Sequence, residues 1–187
     1  MRLPPFTRMR RAASILACAA LLAGCGSDEP ESAAKAGDRP ANAPPRLAKL
    51  SDQASQLLDG GLDAFRSRLR ELRGYPVVVN KWASWCPPCR SEFPFFQKQA
   101  LERGARIAFL GVNSQDNDAD ARGFLEEFPV PYPSYKDPDL KVAAELEGAV
   151  AFPTTAFYDS KGEIAFVHQG GYATEEKLVE DIERYAR

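Results

Sequence analysis

Apolar side chains follow two different patterns from residue 47 onward. Over residues 47–58 and 62–72 they fall three or four positions apart, and glycines follow each stretch. This spacing predicts two amphipathic helices. Residues 76–80 and 107–112 are nearly continuous apolar runs, which predict short buried strands. The periodic part of the chain therefore begins with helices and continues into a sheet.

The pattern after the first strand alternates between helix and strand. Further elements are predicted, in chain order, as a helix from Cys86 to about Arg103, helices at 120–128 and 140–146, strands at 155–158 and 164–167, and a last helix that Thr174 caps. The turn sequence from Asp159 to Gly162 predicts that the last two strands form an antiparallel hairpin. This order predicts an α/β fold with a mixed central sheet flanked by helices.

The start of the chain has the composition of an export signal. Residues 1–24 contain four arginines, no acidic residue and an apolar run at 15–23. Because a membrane-spanning helix needs about 20 apolar residues, the run predicts a cleaved signal peptide. Residues 22–25, Leu-Ala-Gly-Cys, resemble the lipobox of bacterial lipoproteins, so Cys25 is predicted to be acylated. The alternative is an ordinary secreted protein.

A segment without core-forming residues follows the signal. Residues 25–46 are rich in alanine, proline and charged residues and contain no aromatic or β-branched residue. They predict a lipidated, disordered tether that holds one domain, residues 47–187, on the outer face of the cell membrane. The chain has 26 acidic and 24 basic residues, and four of the basic ones lie in the signal. The mature protein is therefore acidic, and no nucleic-acid partner is expected.

Two of the four cysteines remain for the folded domain. Cys18 would leave with the signal and Cys25 would carry lipid, which leaves Cys86 and Cys89. A disulfide across so short a loop restricts the unfolded chain little, because the entropy removed grows with the logarithm of loop length. The pair therefore predicts redox chemistry rather than a structural crosslink.

Both cysteines fall where a predicted strand ends and a helix begins. Cys86 would lie at the helix N-terminus, where unpaired N–H groups and the helix dipole lower the pKa of a thiol from about 8.5. We expect Cys86 to be the nucleophile and Cys89 to be the resolving thiol. Pro87 suits the first helical turn, because the N–H that it lacks would have no acceptor there.

Half of a zinc site is the structural alternative for this pair. Structural zinc takes four ligands, and the only histidine, His168, has no matching partner in the sequence. Haem attachment would require a histidine directly after the second cysteine, where Arg90 stands. No metal and no other cofactor is therefore expected.

The run from Asn80 to Pro94, Asn-Lys-Trp-Ala-Ser-Trp-Cys-Pro-Pro-Cys-Arg-Ser-Glu-Phe-Pro, resembles the thioredoxin superfamily and its membrane-anchored TlpA and ResA-like proteins. Residues 152–155, Phe-Pro-Thr-Thr, resemble the cis-proline segment of that family. The resemblance implies a thioredoxin fold with a strand-helix insertion at about 132–148. It also implies that the substrate groove beside the cysteines is lined by Trp85, Pro87, Phe152 and Pro153.

The same resemblance gives a role to an acidic residue after the cysteine pair. In ResA-like proteins the acid at the position of Glu92 assists proton transfer, and Asn80 here replaces the buried aspartate of ordinary thioredoxins. The alternative role of Glu92 is compensation of the helix dipole. Lys81 departs from the family, which usually has an aromatic residue there, and the sequence offers no physical account of it.

By resemblance, the expected activity is thiol-disulfide exchange that reduces the disulfides of extracytoplasmic proteins, such as apocytochrome c or copper-site assembly factors. The expected electron donor is a CcdA- or DsbD-like membrane protein, and we expect a monomer. Two alternatives use the same residues. One is an oxidising, disulfide-forming enzyme, and the other is a lipoprotein that binds copper or a partner through its thiols without catalysis.

Overall fold

The computed structural model describes residues 38–148 and 150–187. Within these ranges the chain forms six helices and six strands. The helices are α1 Pro45–Ser51, α2 Gly61–Glu71, α3 Pro87–Arg103, α4 Asp118–Glu127, α5 Lys141–Glu145 and α6 Glu175–Tyr185. The strands are β1 Leu57–Leu58, β2 Val77–Trp82, β3 Ala108–Ser114, β4 Ser134–Asp137, β5 Thr154–Tyr158 and β6 Ile164–Gln169.

The strands form one mixed sheet in the order β1-β4-β3-β2-β5-β6. Strands β1, β4, β3 and β2 run parallel to one another. Strand β5 is antiparallel to β2, and β6 is antiparallel to β5. All six residues of the central strand β2 are buried. The strand that leads to the cysteines is therefore covered on both faces.

Alternate side chains of β2 enter two separate cores, because successive strand residues point to opposite faces of a sheet. Val78 joins a cluster with Phe93 of α3 and Leu178 of α6. Val79 joins a second cluster with Phe65 of α2. Helices α3, α4 and α6 supply the first core, and α1, α2 and α5 supply the second. This arrangement confirms the predicted mixed sheet flanked by helices.

The prediction of a helix over residues 47–58 is wrong for its second half. Helix α1 ends at Ser51, and Leu57–Leu58 form β1, which pairs in parallel with β4. Between them, Ser55 adopts a positive φ of 54°, and its N–H lies within hydrogen-bond distance of the carbonyls of Val130 and Tyr132. These contacts with a distant loop redirect the chain. Two adjacent leucines suit a helix or a strand equally well, so their spacing could not reveal this turn.

The described part of the chain starts before the predicted domain. Helix α1 begins at Pro45, two residues before the predicted start, and Arg39 forms an ion pair of 2.7 Å with Asp52. Residues 1–37, which include the predicted signal, Cys25 and most of the predicted tether, lie outside the described residues. Every helix in the described ranges falls short of the length and apolar character that crossing a bilayer requires.

The later elements agree with the sequence predictions in type and order, but the side chain of Thr174, the N-cap residue of α6, makes no capping hydrogen bond within the described residues. Helix α3 spans residues 87–103, and β5 and β6 form the predicted antiparallel hairpin. The predicted insertion at 132–148 contains β4 and α5. Helix α4 begins at Asp118, slightly earlier than predicted, because the side chain of Asn117 caps it by accepting the N–H of Asp120.

Three strands approach one another closely at Gly111 of β3, which pairs with Asn80 of β2 and with Ser134 of β4. A Cβ on Gly111 would lie 2.9 Å from the Cβ of Ser134 and 3.0 Å from Nε1 of Trp82. The same indole N–H donates to the Ser134 hydroxyl at 3.1 Å. Glycine therefore leaves the room in which the Trp82 side chain of β2 reaches across β3 to Ser134 of β4.

Gly111→Ala should lower the free energy of unfolding by about 1–3 kcal/mol, the usual cost of overpacking a dense core. The added methyl group would displace Ser134 and break its bond to the indole. Urea unfolding followed by circular dichroism measures the change. Gly123→Ala is the matched control, because Gly123 lies exposed in α4 and a Cβ there meets no atom within 4 Å. We expect the control to raise stability by up to about 1 kcal/mol, and equal effects of the two substitutions would contradict the close approach at Gly111.

Candidate active site

Cys86 and Cys89 form a disulfide at the start of α3, and both residues are buried. Cys86 is the N-cap residue, and its Sγ accepts a hydrogen bond from the N–H of Cys89 at 3.2 Å. Pro87 and Pro88 fill the first two helical positions without an N–H, so the Cys89 N–H is the first free donor of the helix. A negative charge on Cys86 in the reduced protein would therefore meet this donor and the positive end of the helix dipole.

Trp85 and Phe152 form an apolar wall next to the disulfide. Their ring centroids are 4.8 Å apart, and Trp85 is 54% exposed. The indole N–H of Trp85 donates to the carbonyl of Gln115 at 2.9 Å, which fixes the direction of the ring. The structure therefore brings together two residues that the sequence predicted for the groove, although they lie far apart along the chain.

The peptide bond between Phe152 and Pro153 is cis, as the resemblance implied. Pro153 is buried directly before β5, and its carbonyl accepts the N–H of Gly170 at 2.9 Å. A Cβ on Gly171 would lie 3.1 Å from the Pro88 side chain and 3.7 Å from the Pro153 ring. Two segments, one before β5 and one after β6, therefore meet at the first turn of α3. No role was predicted for the second segment, and its adjacent glycines, Gly170 and Gly171, were the available signal.

Asp116, in the loop after β3, holds the loop that precedes the cysteines. Its carboxylate accepts hydrogen bonds from the N–H and the hydroxyl of Ser84 at 2.6 and 2.8 Å. It also accepts the side-chain amide of Asn113 at 2.8 Å and the N–H of Asn117 at 2.9 Å. Two of these four hydrogen bonds tie the loop before the cysteines to the loop after β3, and the other two hold the Asp116 side chain in its own loop. The sequence showed a polar run here but gave no role to this aspartate.

Glu92 lies buried within α3, three residues after Cys89. One carboxylate oxygen accepts the side-chain amide of Asn80 at 2.8 Å, and the other accepts the N–H of Tyr172 at 3.0 Å. Burial raises the pKa of Glu92 to about 7, and the two hydrogen bonds only partly oppose this effect. The carboxyl group therefore changes its protonation state near neutral pH.

Lys81 of β2 is also completely buried. Its Nζ donates to the carbonyl of Gly148 at 2.5 Å and lies 3.7 Å from the centroid of the Phe152 ring. Burial lowers the pKa of Lys81 to about 8, although the carboxylate of Asp137 acts in the opposite direction. The residue that departs from the family pattern therefore lies behind the apolar wall.

A family model described as Redoxin matches residues 47–183, the range that holds every site residue described above. The chain belongs to the Redoxin family. This Redoxin protein is 32% identical over 139 residues to the thiol-disulfide oxidoreductase ResA of Halalkalibacterium halodurans, with 73% of this chain and 76% of the relative covered. It is 41% identical over 95 residues to the thiol:disulfide interchange protein DsbE of Pseudomonas fluorescens biotype C, with 50% of this chain and 51% of that protein covered.

Solved structures show the same relationship. A DsbF homologue of Corynebacterium diphtheriae matches the Redoxin protein with a TM-score of 0.54 and 30% identity, covering 62% of this chain and 75% of that one. The predicted thioredoxin superfamily fold and ResA-like character are therefore confirmed. The Redoxin protein is a thiol-disulfide oxidoreductase, as predicted.

Glu92→Gln should remove a pH dependence of the free energy of unfolding. The pKa of Glu92 rises from 4.5 to about 7 on folding, so the folded protein holds the proton more tightly than the unfolded chain. The resulting stabilisation is complete below the unfolded pKa and is lost as the pH rises to about 7. Each pKa unit corresponds to about 1.4 kcal/mol, so the loss reaches about 3 kcal/mol.

Glutamine at position 92 can keep a hydrogen bond to each of the two partners of Glu92. It retains an acceptor for the Tyr172 N–H, and Oδ1 of Asn80, which has no hydrogen-bond partner among the described residues, can turn to accept the new amide. Urea unfolding of the oxidised protein between pH 4 and 8 measures the slope. The control is Glu102→Gln, exposed on the same helix, which should retain the wild-type slope. An unchanged slope in Glu92→Gln would show that another group carries the effect.

Proposed function

We propose that this Redoxin protein reduces the disulfides of extracytoplasmic proteins. One observation carries the proposal, namely the buried Cys86–Cys89 pair at the N-terminus of α3, with the cis-proline at its first turn and Glu92 farther along the helix. Disulfide exchange requires a stabilised thiolate, a resolving thiol, a surface for the substrate and a group that moves protons. Each of these has a candidate residue here.

The proposed reaction starts from the reduced pair. The Cys86 thiolate attacks one sulfur of the substrate disulfide, forms a mixed disulfide and expels the other substrate sulfur as a thiolate. Cys89 then loses its proton and attacks Sγ of Cys86, which closes the enzyme disulfide and expels the second substrate thiolate. The protons of the two enzyme thiols end on the two substrate thiols. Two electrons and two protons therefore pass from enzyme to substrate.

The position of each cysteine in α3 supports this division of roles. At the N-cap, Cys86 receives the N–H of Cys89 and the field of the helix dipole, both of which favour a thiolate. Cys89 lies inside the first turn, and the described residues offer no such donor to its sulfur. Cys86 is therefore proposed as the attacking thiolate, and Cys89 as the thiol that must be deprotonated before the second step.

Glu92 is proposed to take the proton of Cys89. Side chains three positions apart on a helix are neighbours, and a pKa of about 7 lets the carboxylate accept and release a proton at neutral pH. Asn80 stands where ordinary thioredoxins, by resemblance, have their buried aspartate, and it donates a hydrogen bond to Glu92. Glu92 is thus the acid that this chain can use.

The substrate is proposed to bind as an extended strand beside the cis-proline. Pro153 carries no N–H, so its backbone offers no donor toward the sulfur that reacts. Trp85 and Pro87 flank Cys86 in the chain, and Phe152 contacts Trp85, so the three side chains can offer apolar contacts to the residues that flank a substrate cysteine. Such backbone pairing along a strand is a common mode of peptide recognition.

The proposal extends to location and partners. We propose that Cys25 carries the lipid, that the segment before α1 is the tether, and that the domain works as a monomer on the outer face of the cell membrane. A CcdA- or DsbD-like membrane protein would reduce the pair again, and apocytochrome c or copper-site assembly factors would be substrates. The composition of residues 1–25 and the similarity to ResA support this extension.

Cys89→Ala should trap substrate proteins on Cys86 in cells. Without the resolving thiol, the mixed disulfide persists and survives non-reducing electrophoresis, after which mass spectrometry identifies the trapped proteins. The matched control is Cys86→Ala, which should trap far less because the attacking thiolate is missing. Equal trapping by the two variants, or none by either, would count against the proposed order of attack.

The direction of exchange is tested with purified protein. The reduced enzyme should reduce insulin disulfides, and its equilibrium with glutathione should show it to be the stronger reductant. An equilibrium on the oxidising side would replace the reducing role with disulfide formation. Copper bound stoichiometrically at the pair, without insulin reduction, would replace catalysis with metal binding.

Glu92→Gln should slow the second step of exchange about 100-fold, the usual contribution of a positioned proton acceptor. Rapid-mixing measurements at pH 7 separate the release of the first substrate thiol from the release of the second. The first release depends on the Cys86 thiolate and should be much less affected than the second. Glu102→Gln is again the control. If both releases keep their wild-type rates in Glu92→Gln, the role of Glu92 is confined to stability.

A further inference from the structure

Lys81 is an unusual residue for its place in the fold. It lies on the central strand β2, five residues before Cys86, and its exposure is 0%. Burying an ammonium group costs free energy unless its N–H groups find partners. Methionine would fill a similar volume without that cost. We therefore expect the Lys81 ammonium to hold a particular neighbouring segment of the chain in place.

Two contacts account for the Lys81 ammonium. It donates to the carbonyl of Gly148 at 2.5 Å, and it lies 3.7 Å from the centroid of the Phe152 ring, within the range of a cation–π interaction. Gly148 and Phe152 belong to the segment between α5 and β5 that ends in the cis-proline. Lys81 therefore joins the central strand to two points of this segment.

Other contacts fix the backbone of the same segment. The hydroxyl of Thr154 donates to the carbonyl of Ala151 at 2.9 Å. A Cβ on Gly148 would lie 2.5 Å from Cγ2 of Thr154, so the segment starts too close to β5 for any other residue. The Phe152 ring is held by side chains instead. Nζ of Lys81 lies 3.7 Å from the ring centroid, and the centroid of the Trp85 ring lies 4.8 Å from it. Lys81 is thus one of the groups that hold this ring, together with Trp85 and the core cluster against which Phe152 packs.

The charged groups around Lys81 leave its ammonium free for this role. Asp137 on β4 acts on it, but the Asp137 carboxylate already accepts hydrogen bonds from Ser114 and from two N–H groups of α5. Glu145 at the end of α5 and Glu147 within the segment act on Tyr158 of β5. The residues paired with Lys81 on β3 and β5 are uncharged. The Lys81 ammonium is therefore held by the carbonyl of Gly148 and the ring of Phe152, and not by a carboxylate.

We propose that Lys81 is a positioning residue that holds Phe152 against Trp85 and thereby sets the affinity of the site for extended peptide disulfides. It acts through Phe152 and not on the reacting sulfurs. The ammonium attracts the electron-rich face of the ring and keeps the apolar wall in place along which a substrate strand binds. This inference rests on the proposed function and names the class of substrate that needs Lys81, since a small disulfide does not reach along the wall.

Lys81→Met removes the ammonium and keeps a flexible side chain of similar length. Reduced wild type and variant are assayed with a capped peptide disulfide that has no group titrating between pH 6 and 10, and with hydroxyethyl disulfide. The value of kcat/KM for the peptide, divided by kcat/KM for hydroxyethyl disulfide, should fall about fivefold in the variant. The change should lie in KM for the peptide and not in kcat. Lys161→Met, exposed in the turn between β5 and β6, is the matched control and should keep the wild-type ratio.

A pH series on the wild-type protein tests the same inference without a substitution, and so also decides the case if Lys81→Met does not fold. Both substrates react with the same Cys86 thiolate, so its ionisation cancels in the ratio of the two rate constants. Lys81 has a pKa of about 8, and the cation is lost as the pH rises through this value. The ratio should be high below pH 8 and fall above it, whereas Lys81→Met should give a low ratio at every pH.

The possible outcomes separate this inference from the proposed function. A wild-type protein that reduces neither substrate contradicts the proposed function and the inference with it. An active wild type whose ratio is independent of pH, or a Lys81→Met variant with the wild-type ratio, overturns the role of Lys81 and leaves the proposed function in place. Equal losses on both substrates would make Lys81 a structural residue and also overturn the inference.

Discussion

The carboxylate of Glu92 joins three distant parts of the chain at a place that water does not reach. Its own helix begins at the cysteine pair, one of its oxygens binds Asn80 of the central strand, and the other binds the backbone of Tyr172 after the last strand. Loss of either donor would leave a buried carboxylate less well solvated and its pKa higher still. The geometry of the site and the protonation of its acid are therefore a single property of the fold.

The central strand supplies the supports on both sides of the site. Three consecutive residues of β2 reach three different partners, since Asn80 binds Glu92, Lys81 binds the segment before the cis-proline, and Trp82 binds Ser134 on β4. Successive side chains of a strand point to opposite faces, so one strand can hold α3 on one face and the cis-proline segment from the other. The two ionisable groups buried here, Glu92 and Lys81, are shifted toward neutral pH by the same burial.

Features that depend on neighbouring residues could be predicted from the sequence, and features that depend on distant contacts could not. The cysteine pair and its helix follow from a local motif, and the cis-proline from a short segment that resembles a known family. The partners of Lys81 and Asp116, by contrast, include residues 67 and 32 positions away. No local pattern reports such contacts. The exchange of helix for strand at residues 57 and 58 has the same origin, because a pairing with β4 overrode the local spacing.

The two tryptophans of this chain lie in contrasting surroundings. Trp82 is fully enclosed among aromatic rings, whereas Trp85 is half exposed, directly precedes the first cysteine and is held by a hydrogen bond to Gln115. The exposed indole thus lies directly beside the cysteine pair, whereas the enclosed one packs in the core. We therefore expect the intrinsic fluorescence of Trp85 to serve as a built-in optical reporter of the site.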